Sequence, residues 1–189
     1  LPQSPSAYKD LNISNPLKSG VRPVVSFTFS LNHYFFGKDT FNYHLTNVII
    51  HILNGMLVYV FIYITLTLHS GKAEGDFAIE RWIAFLTALF FSLHPIQTES
   101  VSYIIQRYES MSSMFYLLSL IVFIFASKLS TLRPLISVVL YIIFILGFVL
   151  AIGSKEIAVT IPVTAFLYGV YFFERKGLWK KVVVPGLLI

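Results

Sequence analysis

Long apolar runs are the feature that most constrains the fold of this chain. A membrane-spanning helix needs about 20 mostly apolar residues to cross roughly 30 Å of hydrocarbon. Residues 45–68 reach that length by themselves, and residues 111–129, 135–152 and 157–173 form three further runs. The run at 82–93 is shorter, so we expect it to span only if its His94-Pro95 end lies in a cavity lined by protein.

The composition fits a helical membrane protein better than a soluble domain. Hydrophobic residues make up 56% of the 189 residues, charged residues make up 12%, and the mean hydropathy is +0.75, whereas about a quarter of a soluble domain is charged. The absence of cysteine excludes disulfides, thiolate metal sites and cysteine nucleophiles. We therefore predict an all-α, polytopic transmembrane helix bundle with about five complete spans and the start of another at residues 182–189.

The N-terminal part of the chain differs from the rest. Residues 1–42 have no basic region followed by an apolar core, so we predict an outer loop with an interfacial helix at 21–37 rather than a signal peptide. Its expected anchors at the lipid headgroups are Phe27, Phe29, Tyr34, Phe35 and Phe36. Residues 43–189 are predicted to form the transmembrane bundle. Position 1 is not Met and the last run is cut short, so we expect a fragment of a longer chain.

The distribution of Lys and Arg among the loops predicts the orientation. Five spans place the loops 69–81, 127–133 and 174–181 on one side, and these carry eight of the 14 Lys and Arg residues. By the positive-inside rule this side is cytoplasmic. We therefore expect a multi-pass membrane protein whose unusual polar groups all face the periplasm, the outside or a lumen. The net charge of +5 is explained by this topology, and nucleic acid is not expected as a partner.

A polar stripe runs along the first long apolar helix. His44, Asn47, His51 and Asn54 recur at helical spacing, which places them on one face. One interpretation is that they form hydrogen bonds between helices and hold the bundle together. The other is that His44, at the outer end, lines a ligand cavity.

Charged residues cluster at the ends of the apolar runs. Glu99 and Glu109, with Arg107 beside them, follow helical steps, and residues 96–107 are predicted to form a short re-entrant or surface helix. The carboxylates can act as a general base or hold a divalent cation, and Arg107 can bind a phosphate bidentately. The alternative is a solvated loop with weak ion pairs. Lys155 lies between two apolar runs, so we expect it to reach the interface or to enter a polar cavity. Several cations around one outer cavity would suit the binding of a lipid phosphate.

Four stretches in a fixed order resemble the membrane part of the GT-C glycosyltransferases that carry tetratricopeptide repeats after their spans. That group includes the transmembrane O-mannosyltransferases. The matching stretches are Arg22-Pro23 with Phe29-Ser30-Leu31-Asn32 and Gly37; Tyr43-His44-Leu45-Thr46-Asn47 with His51; His94-Pro95-Ile96-Gln97-Thr98-Glu99-Ser100-Val101 leading to Arg107 and Glu109; and Ser154-Lys155-Glu156.

The resemblance implies a GT-C-like bundle that transfers a sugar from a polyprenyl-phosphate donor to a protein or lipid acceptor on the outer face. It also implies an acidic catalytic base in the first outer loop, shortly after a first transmembrane helix. This chain shows no such helix, and Asp10 is the only acidic residue near the expected place.

On this basis we assign candidate roles to nine residues. Donor-phosphate binding is assigned to Arg22, Arg107 and Lys155, the catalytic roles to Asp10, Glu99 and Glu109, and supporting roles to His44, His94 and Glu156. The cofactor and the metal are left open, and a divalent cation is the candidate that the carboxylates could hold. Expected partners are the polyprenyl-phosphate sugar donor, membrane lipid and other membrane subunits. The alternative function is a non-catalytic integral membrane subunit that packs within a larger complex.

Overall fold

The computed structural model describes residues 22–70 and 77–173, and the regular elements of both stretches are helices. The α-helices are α1 (Pro23–Phe36), α2 (Thr40–Ser70), α3 (Ala78–Leu93), α4 (Thr98–Ser102), α5 (Arg107–Leu129), α6 (Pro134–Ile152) and α7 (Ile161–Phe173). Short 3₁₀ turns occupy Pro95–Gln97, Ile104–Gln106 and Glu156–Thr160. No strand occurs in these two stretches, and the predicted all-α fold is confirmed.

Within residues 22–70 and 77–173, four helices are long and apolar enough to cross a membrane: Thr40–Ser70, Ile104–Leu129, Pro134–Ile152 and Glu156–Phe173. A fifth candidate is the pair Ala78–Leu93 and Pro95–Ser102, which is bent by 52°. The protein is therefore a multi-pass membrane protein with four or five spans in its described part, as predicted. The predicted sixth run at 182–189 lies outside the described residues.

The fifth candidate is bent at the histidine–proline step. Pro95 has no backbone N–H to continue the helix, and His94 adopts an extended conformation (φ −65°, ψ 129°). The His94 ring then caps the next turn, because its Nδ1 accepts a hydrogen bond from the Ile96 N–H at 3.2 Å. The short re-entrant or surface helix predicted over 96–107 is present only in pieces, as α4 between two 3₁₀ turns. The segment breaks again at Tyr103, whose extended backbone ends α4.

Helix α5 is the centre of the bundle. Half of the residues in its apolar window are buried, against 17% in α2 and α6. It packs along α6 on one side and against α2 on the other, and α2 in turn packs against α3. Small residues allow these helices to approach closely, since a Cβ on Gly55 of α2 would lie 2.5 Å from Ser92 Oγ of α3.

Helix α1 lies where the sequence predicts a short helix, but one of its expected anchors points the other way. Phe27, Tyr34, Phe35 and Phe36 are exposed, whereas Phe29 is only 5% exposed and belongs to the core. The assignment of Phe29 to the headgroups is therefore wrong. Its ring packs against α2 and α5 because α1 buries one face against the bundle.

Candidate functional site

Arg107, the first residue of α5, is completely buried. Its Nε donates to Asn47 Oδ1 at 2.8 Å, its Nη1 donates to Asn32 Oδ1 at 3.0 Å, and its Nη2 donates to the carbonyl oxygen of Tyr43 at 3.0 Å. The guanidinium also lies over the Phe29 ring, 4.4 Å from its centroid. A single cation therefore joins α1, α2 and α5 through neutral oxygens and aromatic rings.

This position is costly for a cation, since the N-terminal end of a helix favours negative charge. A buried charge needs several well-placed partners to offset its lost hydration. Arg107 has them, and its guanidinium has no accessible surface left for a ligand. Arg107 therefore does not line the predicted outer cavity in this structure, because it is inaccessible, whereas Glu99 lies exposed on α4.

Two ion pairs lie at the same end of the bundle. Lys155, in the turn after α6, pairs with Glu109 of α5. Arg22, just before α1, pairs with Glu156 through Nη2 and Oε2 at 3.5 Å. All four side chains are partly or largely exposed, with accessibilities of 26% for Lys155 and 30% for Arg22. We name Arg22, Glu109, Lys155 and Glu156 the charged cluster.

The charged cluster is connected to the buried Arg107 by aromatic rings. The Arg22 guanidinium lies 4.8 Å from the centroid of Tyr108, and the Tyr108 ring meets the Phe29 ring edge-on at 6.0 Å. Phe29 in turn contacts Arg107. Arg22 and the buried Arg107 therefore contact the same packed pair of aromatic rings, Arg22 through Tyr108 and Arg107 through Phe29.

Backbone contacts fix the position of Arg22 relative to the turn that carries Lys155 and Glu156. The Val24 N–H donates to the Gly153 carbonyl at 3.3 Å. A Cβ at Gly153 would come within 2.7 Å of Val24 Cγ2, so glycine is needed for this approach. The start of α1 is thereby held beside the turn after α6.

The polar stripe of α2 makes the hydrogen bonds between elements that its spacing predicts. Asn47 Nδ2 donates to the Tyr103 carbonyl at 3.3 Å, Asn54 Nδ2 donates to the Ser110 carbonyl at 2.9 Å, and His51 Nε2 lies 3.1 Å from the Ser92 carbonyl oxygen. The structural interpretation is confirmed for these three residues. His44 is half-buried on the same helix, and its place in a ligand cavity stays a prediction.

Curated proteins match most of this chain. It is 32% identical over 166 residues to the protein O-mannosyl-transferase tmtc2 of Xenopus laevis, which covers 86% of this chain and 18% of that protein. It is 31% identical over 175 residues to TMTC2 of Mus musculus, covering 88% of this chain and 18% of that protein. The chain belongs to the TMTC-like group.

Human TMTC1 also matches, with 33% identity over 105 residues, 56% of the TMTC-like chain and 11% of that protein. No protein-family model matches the chain, and no solved structure matches it. The TMTC-like chain spans about a fifth of the length of the frog and mouse relatives, 18% in each case.

The other predicted site residues of this TMTC-like chain lie either outside the described residues or on the surface. Asp10 lies outside the described residues, and both His94 and Glu99 are exposed. Within residues 22–70 and 77–173 no group of three or more His, Asp or Glu side chains is arranged to hold a metal ion. The divalent cation and the catalytic roles stay predictions.

Sequence reasoning missed two parts of the site. Asn32 was noted only as part of a stretch that resembles the glycosyltransferases, but its Oδ1 accepts a hydrogen bond from Arg107 Nη1. Tyr108 was not predicted, and its ring lies against the Arg22 guanidinium. One signal was available for Asn32. It follows Phe29 by three residues, so the two share the face of α1 that is buried in the bundle.

Proposed function

We propose that the complete protein transfers mannose from a polyprenyl-phosphate donor to a protein acceptor on the outer face of the membrane. The relatives matched over most of this chain are named protein O-mannosyl-transferases. The structural observation that carries the proposal is the charged cluster, which places two accessible cations at one end of a membrane bundle.

Arg22 and Lys155 are the proposed ligands of the donor phosphate. The Arg22 side chain is 30% exposed, and its Nη2 contact with Glu156 is long, at 3.5 Å. An accessible guanidinium that is loosely paired is suited to bind phosphate oxygens. Lys155 adds a second positive charge, which is paired with the partly exposed carboxylate of Glu109.

Arg107 has a different role in this proposal. Its three hydrogen bonds would have to break before it could contact a phosphate, at a cost of about 1.5–3 kcal/mol each. It supports the cluster indirectly, because it fixes the start of α5 on which Tyr108 and Glu109 lie.

The transfer itself needs a base and a leaving group. The acceptor oxygen attacks the anomeric carbon, the bond from that carbon to the phosphate oxygen breaks, and the phosphate leaves with the electron pair. The acceptor proton passes to a carboxylate. Glu99, Glu109 and Asp10 are the proposed candidates, with His94, His44 and Glu156 in supporting roles. Glu109 becomes available as a base when Lys155 moves from it to the phosphate.

The test is sugar transfer by the purified full-length protein, with polyprenyl-phosphate mannose and an acceptor peptide. Arg22→Gln and Lys155→Gln should each lower turnover by about 10²-fold, as expected when one preorganised electrostatic contact to the transition state is lost. Arg133→Gln, at the opposite end of α6, is the matched control and should retain activity. Wild-type turnover in both cluster variants would contradict the phosphate site. No transfer by the wild-type protein with any polyprenyl-linked donor would favour the non-catalytic subunit.

A further inference from the structure

Tyr108, the second residue of α5, carries the guanidinium of Arg22 on its ring. The Arg22 Cζ atom lies over the ring, 4.8 Å from the centroid, and the negative face of an aromatic ring attracts such a cation. The same ring meets Phe29 edge-on at 6.0 Å and packs against the core cluster of Val25, Phe29, Ile50 and Met111. Tyr108 thus connects a surface cation to the core of the bundle.

Stacking determines which part of the Arg22 guanidinium a ligand can reach. A cation–π contact uses a face of the planar group, whereas the five N–H donors of arginine point outward within the plane. The Tyr108 ring therefore holds the cation without using a donor. Because the contact of Nη2 with Glu156 is long, at 3.5 Å, a phosphate oxygen can replace that carboxylate while the ring still supports the guanidinium.

The residue after Tyr108 pairs with the other cation of the charged cluster. Glu109 forms its ion pair with Lys155, and consecutive residues of an α-helix point about 100° apart around its axis. Tyr108 and Glu109 thus hold Arg22 and Lys155 on neighbouring sides of the first turn of α5. The hydrogen bonds of Arg107 fix this turn in the bundle. The separation of the two cations is therefore set by two consecutive residues.

We propose that Tyr108 is a positioning residue of the phosphate site, whose ring orients the Arg22 guanidinium so that two in-plane donors reach the phosphate oxygens together. The inference rests on the proposed function, because it concerns the same phosphate. The ring is the part of Tyr108 that matters, and the hydroxyl is not needed. Without the ring, Arg22 keeps its charge but has to be ordered when the phosphate binds, and this loss of conformational freedom lowers the affinity.

The test measures binding of polyprenyl phosphate, a probe without a sugar, to the purified full-length protein. Tyr108→Phe keeps the ring and should bind the probe like the wild type. Tyr108→Leu removes the ring and should raise the Kd about two- to fivefold, as expected for the loss of an exposed cation–π contact. Tyr116→Leu is the matched control and should leave the Kd unchanged. Tyr116 is a half-buried tyrosine about two turns further along α5, and its hydroxyl contacts Thr160 and Thr164 of the last helix segment.

A double-mutant cycle separates positioning from a general structural effect. In an Arg22→Gln background, Tyr108→Leu should cause no further loss of affinity, because the guanidinium that the ring holds is gone. An equal loss in both backgrounds overturns the proposal. So does an unchanged Kd in Tyr108→Leu, or a loss in Tyr108→Phe as large as that in Tyr108→Leu. Circular dichroism and gel filtration establish that each variant is folded and monodisperse.

The binding assay also distinguishes this inference from the proposed function. A wild-type protein that shows the expected cycle but transfers no mannose would contradict sugar transfer and would support the role of Tyr108. Mannose transfer together with an unchanged Kd in Tyr108→Leu would overturn the role of Tyr108 alone. If the wild-type protein does not bind polyprenyl phosphate, both are overturned.

Discussion

Arg107 and Asn47 are joined by a 2.8 Å hydrogen bond between the buried guanidinium Nε and the amide Oδ1, across 60 residues of sequence. The same amide donates from its Nδ2 to the Tyr103 carbonyl. Asn47 thus contacts the connection before α5 as well as α5 itself, and it does so from a position with no exposed surface. Two neutral amides, Asn47 and Asn32, take the place that a carboxylate usually has beside a buried cation.

The Arg107→Ala variant should therefore have a lower free energy of unfolding than the wild-type protein, because Arg107 holds three helices together. The change removes the Arg107 donor from Asn47 Oδ1 and leaves Asn32 Oδ1 with the 3.4 Å hydrogen bond from Thr46 Oγ1. We expect this to lower the free energy of unfolding by about 3 kcal/mol. Arg107→Lys should restore little, because an ammonium lacks the planar fork that reaches three separate acceptors. Thermal unfolding in detergent, with Arg133→Ala as the matched control, measures both effects. A wild-type melting temperature for Arg107→Ala would contradict the structural role.

Lys155→Gln should show the opposite pattern. The Lys155–Glu109 pair is partly exposed, with a Glu109 side-chain accessibility of 44%, and exposed pairs contribute about 0–1 kcal/mol. We expect little change in melting temperature together with the large loss of turnover proposed above. A parallel loss of folded protein and of activity would instead make this pair structural. Arg22→Gln provides an independent comparison on the second pair.

The contact between α2 and α3 should respond to paired substitutions. Gly55→Ala places a Cβ 2.5 Å from Ser92 Oγ, and we expect a loss of about 1 kcal/mol by overpacking. With Ser92→Ala present, the nearest atom would be the Cβ of residue 92 at 3.8 Å, an ordinary contact. The double variant should then be at least as stable as Ser92→Ala alone. Additive effects of the two substitutions on the unfolding free energy would exclude this contact.

The predicted orientation can be tested because the chain has no native cysteine. A cysteine introduced at Glu99 should react with an impermeant thiol reagent added from the outside, whereas one at Ser130 should react only after permeabilisation. The reason is the excess of Lys and Arg in the loops on the Ser130 side. Labelling of the Ser130 position in sealed cells would show that the orientation is the reverse of the predicted one, with the charged cluster on the inner face.

Hydropathy and helical spacing predicted most of the fold, because both depend on neighbouring residues. The apolar run at 135–152 corresponds to helix α6, Pro134–Ile152. The spacing of Asn47 and Asn54 predicted hydrogen bonds to other elements, and the structure contains them. The site was harder to predict. Arg107 stands between Glu99 and Glu109, and this neighbourhood suggested an open, charged surface. Its partner Asn32 lies 75 residues earlier, and local sequence does not report such a contact.

The partners of Arg107 also determine how the protein responds to acid. Asparagine amides and backbone carbonyls do not take up protons at the pH of any cellular compartment, so the three hydrogen bonds of Arg107 have no acid-labile acceptor. Both pairs of the charged cluster contain a carboxylate, which acid neutralises. At acidic pH the charges of the cluster can therefore change while the hydrogen bonds of Arg107 persist.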